Sequence, residues 1–563
     1  MLDKVQELLP SSKIQQAITV WKAGLLTNPS THIANLTGNS AMLGLENLKD
    51  IPATGMDILA SLFTGKRTKA LPSIGAQAQG FGEGIVKGAR FARTGIDPEN
   101  VLAKVDYQKV NLPPILKQYT DVVFRSLGTG DKVFRQTFFK KTLAELAKVD
   151  GMNKGLSGQQ LMNHIDEVFQ NPPVPMVEKA TKDALYGTFN SRNALSDFIG
   201  NGKRSLGNFR GVADFIMPFT QTPTNVAARI ADYSPLGFGK AAYQGATGGG
   251  QRAVVESLGR ALTGTGIAGL GYGMAEDGNL TGTAPTNETE KNLWELQGKQ
   301  ANSVKVGDKY YSLEKLSPLG NILGMGANYQ QSGNASETGF QTIKGLKDMT
   351  FLKGMSSALD ALNDPERYGK SYIENTASSA IPSVVSALAR QVDPTKRETN
   401  GAVEAVMNRI PGLKDNLLPK RDALGNETYY EGNQLFSPVR QSGAKTNIVA
   451  NEIERLRDMG GDVTLSKPGK NISLVGGAKV ELTPEEYNKF LQSSGGLAQK
   501  LLEKIIVTNE YQNANPVEQA NMIAKIIQKT REATKYQSLG SDRTMEGIKT
   551  YLQEKQSKPF YQN

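Results

Sequence analysis

Apolar residues in this chain recur at helical spacing in segments that proline and glycine repeatedly close, and no stretch reaches the roughly 18 uncharged apolar residues of a spanning helix. Such a chain buries its hydrophobic surface by packing many helices side by side. The expected fold is mainly α: an extended multi-helix protein with a small β-hairpin insertion near 303–313 and a C-terminal α+β module. With 563 residues, it has room for roughly two to four domains. Composition and punctuation divide it into a helical domain over 1–275, a middle region with a hairpin and irregular loops over 276–445, and a C-terminal helical module with a hairpin over 446–563.

Local signals place the elements. A helix over Ile14–Leu26 halts at Asn28-Pro29, and Ser30 or Thr31 caps the next one. A further helix, Leu45–Phe63, breaks near Pro52. Phe81 to Arg93 puts Phe81, Ile85 and Ala92 on one side and Glu83, Lys87 and Arg90 on the other. Asp131 reads as an N-cap for a helix carrying Phe134, Phe138, Phe139, Leu143 and Leu146. Residues 276–300 are polar and turn-rich, and read as a linker or surface excursion. Val304 and Val306 alternate before Gly307-Asp308 turns into Tyr310 and Leu313, which is a hairpin signal. A second hairpin pairs Ile472–Leu474 with Val480–Leu482. Thr483-Pro484 and Asn515-Pro516, each with Glu three residues after the cap, then open two helices.

Several chemistries find little to work with. There is no cysteine, so disulfides, thiolate metal sites and cysteine nucleophiles are absent, and the two histidines, His32 and His164, are far apart. None of the Gly-Lys pairs, such as Gly65-Lys66 or Gly469-Lys470, has the earlier glycine and following Ser or Thr of a phosphate loop. Glu256 faintly suits a peptidoglycan-cleaving acid, but the rest of such a pattern is missing, and a helix-surface glutamate is the better reading. The expectation is a protein that is not an enzyme, with no catalytic residue, no cofactor and no metal. The start, MLDKVQELLPSSK, carries acids and does not resemble a secretory signal.

The formal charge of +10 is unevenly placed, since residues 61–141 hold 14 Lys/Arg against 6 Asp/Glu. Phenylalanines interleave with these cations. The candidates for contact with an anion, whether DNA or a membrane surface, are Arg90, Arg93, Lys132, Arg135, Lys140 and Lys141. A helix that buries its aromatics while its cations stay in water explains the same pattern. Gly264, Ala268, Gly269 and Gly273 have the small-residue spacing of close helix packing, against lipid-embedded helices or another copy, or simply within the fold.

Five strings carry a resemblance. They are Trp21 to Asn39 (WKAGLLTNPSTHIANLTGN), Phe215 to Asn225 (FIMPFTQTPTN) with Tyr233-Ser-Pro235, Thr281 to Pro285 with the 303–313 hairpin, Arg409 to Leu413 with Leu418 to Asp422, and Val480 to Tyr487. In this order the chain resembles the internal virion, or DNA-ejection, proteins of short-tailed bacteriophages and related regions of large phage polyvalent proteins. None of the strings is a catalytic motif. The resemblance implies a homo-oligomer in the virion interior, beside other core or portal proteins and phage DNA. It further implies ejection with the genome, refolding into a conduit through the host envelope, and contact with the host inner membrane. The alternative is a phage nucleic-acid-binding protein that organises or protects DNA.

Overall fold

The computed structural model describes residues 12–96, 110–205, 218–348, 378–437, 439–474 and 478–557, with a few positions between 364 and 376. The protein is mainly α, with five short antiparallel strands among the described residues. The first helices are α1 (Lys13–Leu25), α2 (Pro29–Thr64), α3 (Ile74–Thr94) and α4 (Pro114–Asn153). They are followed by α5 (Gly158–Gln170), α6 (Val174–Gly187), α7 (Ala194–Ser205), α8 (Gln221–Asp232), α9 (Leu236–Ala246) and α10 (Gln251–Glu276).

Two expected breaks are absent. Asn28, not Ser30 or Thr31, caps α2, accepting from the Ser30 amide with Pro29 in the first turn. The helix then runs straight through Pro52, so the segments read as separate are one helix of 36 residues. Likewise Asp131 is no cap: it is buried within α4 and accepts a hydrogen bond from Asn35 Nδ2 at 3.0 Å. The glycines before it, Gly128 and Gly130, are places where Phe91 and Leu36 press on the helix rather than places where it ends.

A central core joins Met42 and Leu45 of α2, Phe134 and Phe138 of α4, Val226 and Ile230 of α8, Tyr233, Ile267 of α10 and Ile322. The helix α3 lies along α4 through a stripe of Gly80, Gly84 and Gly88. A Cβ on any of these would sit 2.7–3.1 Å from α4 atoms between Thr129 and Gln136.

The middle of the chain contains α11 (Glu288–Gln297), β1 (Ser303–Val306), β2 (Lys309–Ser312), α12 (Leu319–Ser332), α13 (Ala335–Asp348), α14 (Ser383–Val392) and α15 (Ala402–Met407). The expected hairpin pairs Val306 with Lys309, and it gains a third strand, β3 (Gln441–Gly443), from far along the chain. The stretch read as a linker contains α11, whose Leu293 and Leu296 enter a core with Val449, Ile453, Leu456, Leu502 and Ile523.

The C-terminal part comprises α16 (Ile448–Asp458), β4 (Asn471–Ser473), β5 (Lys479–Glu481), α17 (Pro484–Ile505), α18 (Asn509–Gln512), α19 (Pro516–Leu539) and α20 (Ser541–Ser557). Both expected capping boxes form, Thr483 with Glu486 and Asn515 with Glu518. The second hairpin forms in the expected register, Ile472 opposite Val480, while its Gly476-Gly477 turn lies outside the described residues. The core beneath this module draws in α11 together with Ala423 and Leu424, so its packing begins well before residue 446.

Candidate functional site: a charged interior beneath an apolar exterior

The second half of α2 is amphipathic with its faces reversed. Glu46, Lys49, Asp50, Ala53, Thr54 and Asp57 point inward, while Leu48, Ile51, Ile58, Leu59, Leu62 and Phe63 face outward, Phe63 at 92% exposure. Two neighbouring helices share part of the pattern. On α10, Glu256 and Arg260 are buried beside the apolar Val255, Ala261 and Ile267, while Leu262, Leu270 and Tyr272 are exposed. On α3 the glycines face inward and Phe81, Ile85 and Val86 face outward. Ile85 and Val86 of α3 are exposed, whereas Phe81 meets the buried Phe134 of α4 edge-on at 6.2 Å and Phe91 is half-buried against α4.

Inside, the charges meet. Asp50, with no exposed surface, is ringed by three ammoniums: Lys69 and Lys141 at 2.9 Å and Lys49 at 3.2 Å. Lys69, carried on the strap after α2, also reaches Glu145 at 2.8 Å and Glu256 at 3.4 Å. Arg252 bridges the same two acids at 2.9 and 3.1 Å. Arg260 holds Glu46 through two nitrogens at 2.9 and 3.2 Å, and the Tyr233 hydroxyl donates to Glu46 at 3.0 Å. At the rim, Asp57 ties down the strap, accepting from Arg67 Nε and from the amides of Thr68 and Lys69.

These contacts set the protonation states. Burial opposes ionisation of Glu46, but Arg260, Lys49 and Lys141 outweigh it and hold the carboxyl well below its usual range. Asp50 and Glu256 are depressed in the same way, burial being overcome by Lys49 and its cationic neighbours. Lys49 is held above the ordinary ammonium value by Asp50 and Glu46 against its burial. Lys141 moves the other way, since its burial outweighs the pull of Asp50.

The six cations singled out from sequence are thereby separated. Lys141 is part of the interior, donating to the Glu46 carbonyl at 2.9 Å. Lys140 pairs with Glu83 at 3.0 Å and lies 4.7 Å over the Phe169 ring. Lys132 is buried, 5.3 Å over Phe91, and Arg135 is half-buried with its Nε covered. Arg90 and Arg93 are exposed. Of the four small residues, Gly264 takes the close contact, since a Cβ there would overlap the Tyr233 carbonyl. Ala268 presents its carbonyl to Gly326, whereas Gly269 and Gly273 have open space where a Cβ would stand.

Glu256 is paired and depressed, the opposite of the raised carboxyl a glycosidic general acid requires. Asp422 is raised by burial, but its carboxylate closes a turn by accepting from the Leu424 and Asn426 amides, each at 2.9 Å. Among the described residues no group of three or more His, Asp or Glu is placed to hold a metal, and no helix is long and apolar enough to cross a membrane.

Sequence reasoning missed the interior. Its signal was present as charges at 46, 49, 50 and 57 on one side of a helix and 252, 256 and 260 on another, each set reading as a solvated face. No protein-family model matches the chain, and no curated protein or solved structure matches it either.

Proposed function

We propose that this chain is a structural internal virion protein of a short-tailed phage, ejected with the genome and contributing to an oligomeric conduit for DNA through the host envelope. The observation that carries the reading is the reversed second half of α2, its charges inside and tied to Glu256 and Arg260 of α10 and its Leu, Ile and Phe outside, together with exposed Leu, Ile, Val, Phe and Tyr on α3 and α10. Water does not favour such a surface, and contiguous exposed apolar patches mark interfaces. Another copy of the chain, a neighbouring core protein or an envelope would cover it, and where helices in contact with lipid carry charges, those charges face the interior and pair there. The ordering of the resembling strings supplies the phage context.

The alternative, a DNA-organising protein acting through residues 61–141, has less support. Lys140 and Lys141 are engaged within the fold, and Arg90 and Arg93 remain as exposed cations of the six.

Quantitative mass spectrometry of purified particles, before and after triggered genome release, tests the proposal. The expected result is several copies per particle that depart with the DNA. Absence from the particle, or retention in the emptied shell, refutes it.

A further inference from the structure

In the C-terminal module α17 and α19 run antiparallel, with Ser493 Oγ 3.3 Å from Ser538 Oγ at one end of their contact. Each helix is apolar over more of its circumference than the core uses. Leu502 and Ile506 of α17 and Ile523 and Ile527 of α19 are buried in that core. A second stripe lies beside them, Leu497, Leu501 and Ile505 on one helix and Met522 and Ile526 on the other, and it lines a groove of about 390 Å³. Ile505, Met522 and Ile526 rest on the core and form the floor, while Leu497 and Leu501 stand 37% and 42% exposed on one bank.

Both banks are basic. Lys525 and Lys529 line the α19 side, one turn apart. On α17, Lys500 and Lys504 follow Leu497 and Leu501 by three residues, which sets them on the same exposed side. Among the described residues no carboxylate lies within ion-pair distance of any of the four. The acids closest to them in sequence are turned to neighbours, Glu503 accepting from Gln499 Nε2 at 2.8 Å and Glu532 from Gln528 Nε2 at 3.2 Å.

Shape and charge together select the occupant. From Leu497 to Ile505 is about 12 Å of helix, which matches two to three turns of a guest laid along the groove. An amphipathic helix fills such a groove with residues one turn apart, and acids beside its stripe reach both lysine rows at once. An amphiphile with a single anionic head engages one row only. A second copy docked through the same face about a two-fold axis sets lysine against lysine. A flat bilayer does not reach a floor that lies between the two helices.

We propose that the groove between α17 and α19 docks an acidic amphipathic helix of a partner protein, with Leu497, Leu501 and Ile526 taking its apolar stripe and Lys500, Lys504, Lys525 and Lys529 its flanking carboxylates. The site is remote from the charged interior of α2, α4 and α10, and its existence does not depend on the ejection reading.

The test uses the full chain and a fluorescein-labelled synthetic peptide of about 14 residues, with Leu one turn apart along one face and Glu on either side; its twin carries Lys in place of Glu. Anisotropy titration is expected to show the acidic peptide binding about tenfold or more tightly than the twin, the difference shrinking as salt rises from about 0.1 to 0.5 M. K525E/K529E reverses the order of the two peptides, and L501A weakens both. If the double variant loses its helical circular dichroism, K529E alone is read in its place. The proposal is overturned if the parent does not discriminate between the peptides, or if the folded charge variant keeps the parent's preference. It is also overturned if sedimentation shows the parent associating with itself and the charge variant not, which assigns the groove to a second copy. Displacement of the acidic peptide by phosphatidylglycerol vesicles overturns it in favour of lipid.

Discussion

Replacing Asp50 with asparagine should destabilise the N-terminal helices far more than any exposed charge change. The carboxylate faces three ammoniums within 3.2 Å and has no exposed surface. At an effective dielectric constant of about 20, each such contact has a gross attraction of roughly 5 kcal/mol. The lysines keep other partners, since Lys49 retains Glu46 and Lys69 retains Glu145 and Glu256. The net loss should therefore approach the roughly 3–5 kcal/mol typical when one member of a buried ion pair is removed. Urea unfolding followed by tryptophan emission measures it. The chain has two tryptophans. A Trp294→Phe background leaves Trp21, whose indole donates to Ser379 Oγ at 3.0 Å, as reporter on the N-terminal helices. The same variant at high salt should lose as much, because buried charges are screened little. Asp121→Asn, which removes a partly exposed partner of Arg125, should cost about 0–1 kcal/mol. If Asp50→Asn costs less than about 1 kcal/mol, the interior is hydrated or rearranged and the reasoning fails.

The remaining predictions concern the same helices and their ends. Gly264→Val should abolish native packing, because its Cβ would overlap the Tyr233 carbonyl, whereas Gly269→Ala, five residues along α10 with open space beside it, should raise stability by about 0.5–1 kcal/mol; thermal melts compare them. Acid should weaken the domain through Glu46, Asp50 and Glu256, whose native pKa values are depressed. Their contribution is complete above the unfolded carboxyl value of about 4 and is lost as pH falls below it, so urea midpoints measured down to about pH 3 should drop, and less steeply in Asp50→Asn. In the C-terminal module Thr483→Ala and Asn515→Ala should each cost about 1 kcal/mol by denaturant titration, since each removes a cap that accepts from the third amide of its helix.

What was legible in the sequence was mostly local. The caps at Thr483 and Asn515 and the Gly307-Asp308 hairpin are settled by a few neighbouring residues, and they form as expected. Signals that depend on the rest of the fold misled. Asp131 after two glycines looks like a helix start, yet Phe91 and Leu36 pack on those glycines and α4 continues. The polar run 276–300 looks like a linker because most of its side chains are polar, but Leu293 and Leu296 on one face of α11 suffice to anchor it in a core. The third strand of the first sheet comes from residue 441 onward, a pairing that no local pattern announces.

The charged interior marks a deeper limit. Helical periodicity gives the axis along which a helix is two-sided, but not which side faces inward; that sign is ordinarily supplied by assuming water outside. In α2 the assumption places Leu59 and Phe63 in a core and Asp50 in solvent, and both assignments are reversed. Neighbouring helices carry parts of the same pattern. On α10 the buried Glu256 and Arg260 share the ion pairs beside the apolar Ile267, and on α3 a glycine stripe removes the need for large side chains inside. All three helices leave Leu, Ile, Phe or Tyr exposed. The ion pairs then do what apolar contacts do elsewhere: Asp50 and Glu46, fixed among Lys49, Lys69, Lys141 and Arg260, tie α2 to α4 and α10 in one register, since sliding any helix by a turn would strand a buried charge.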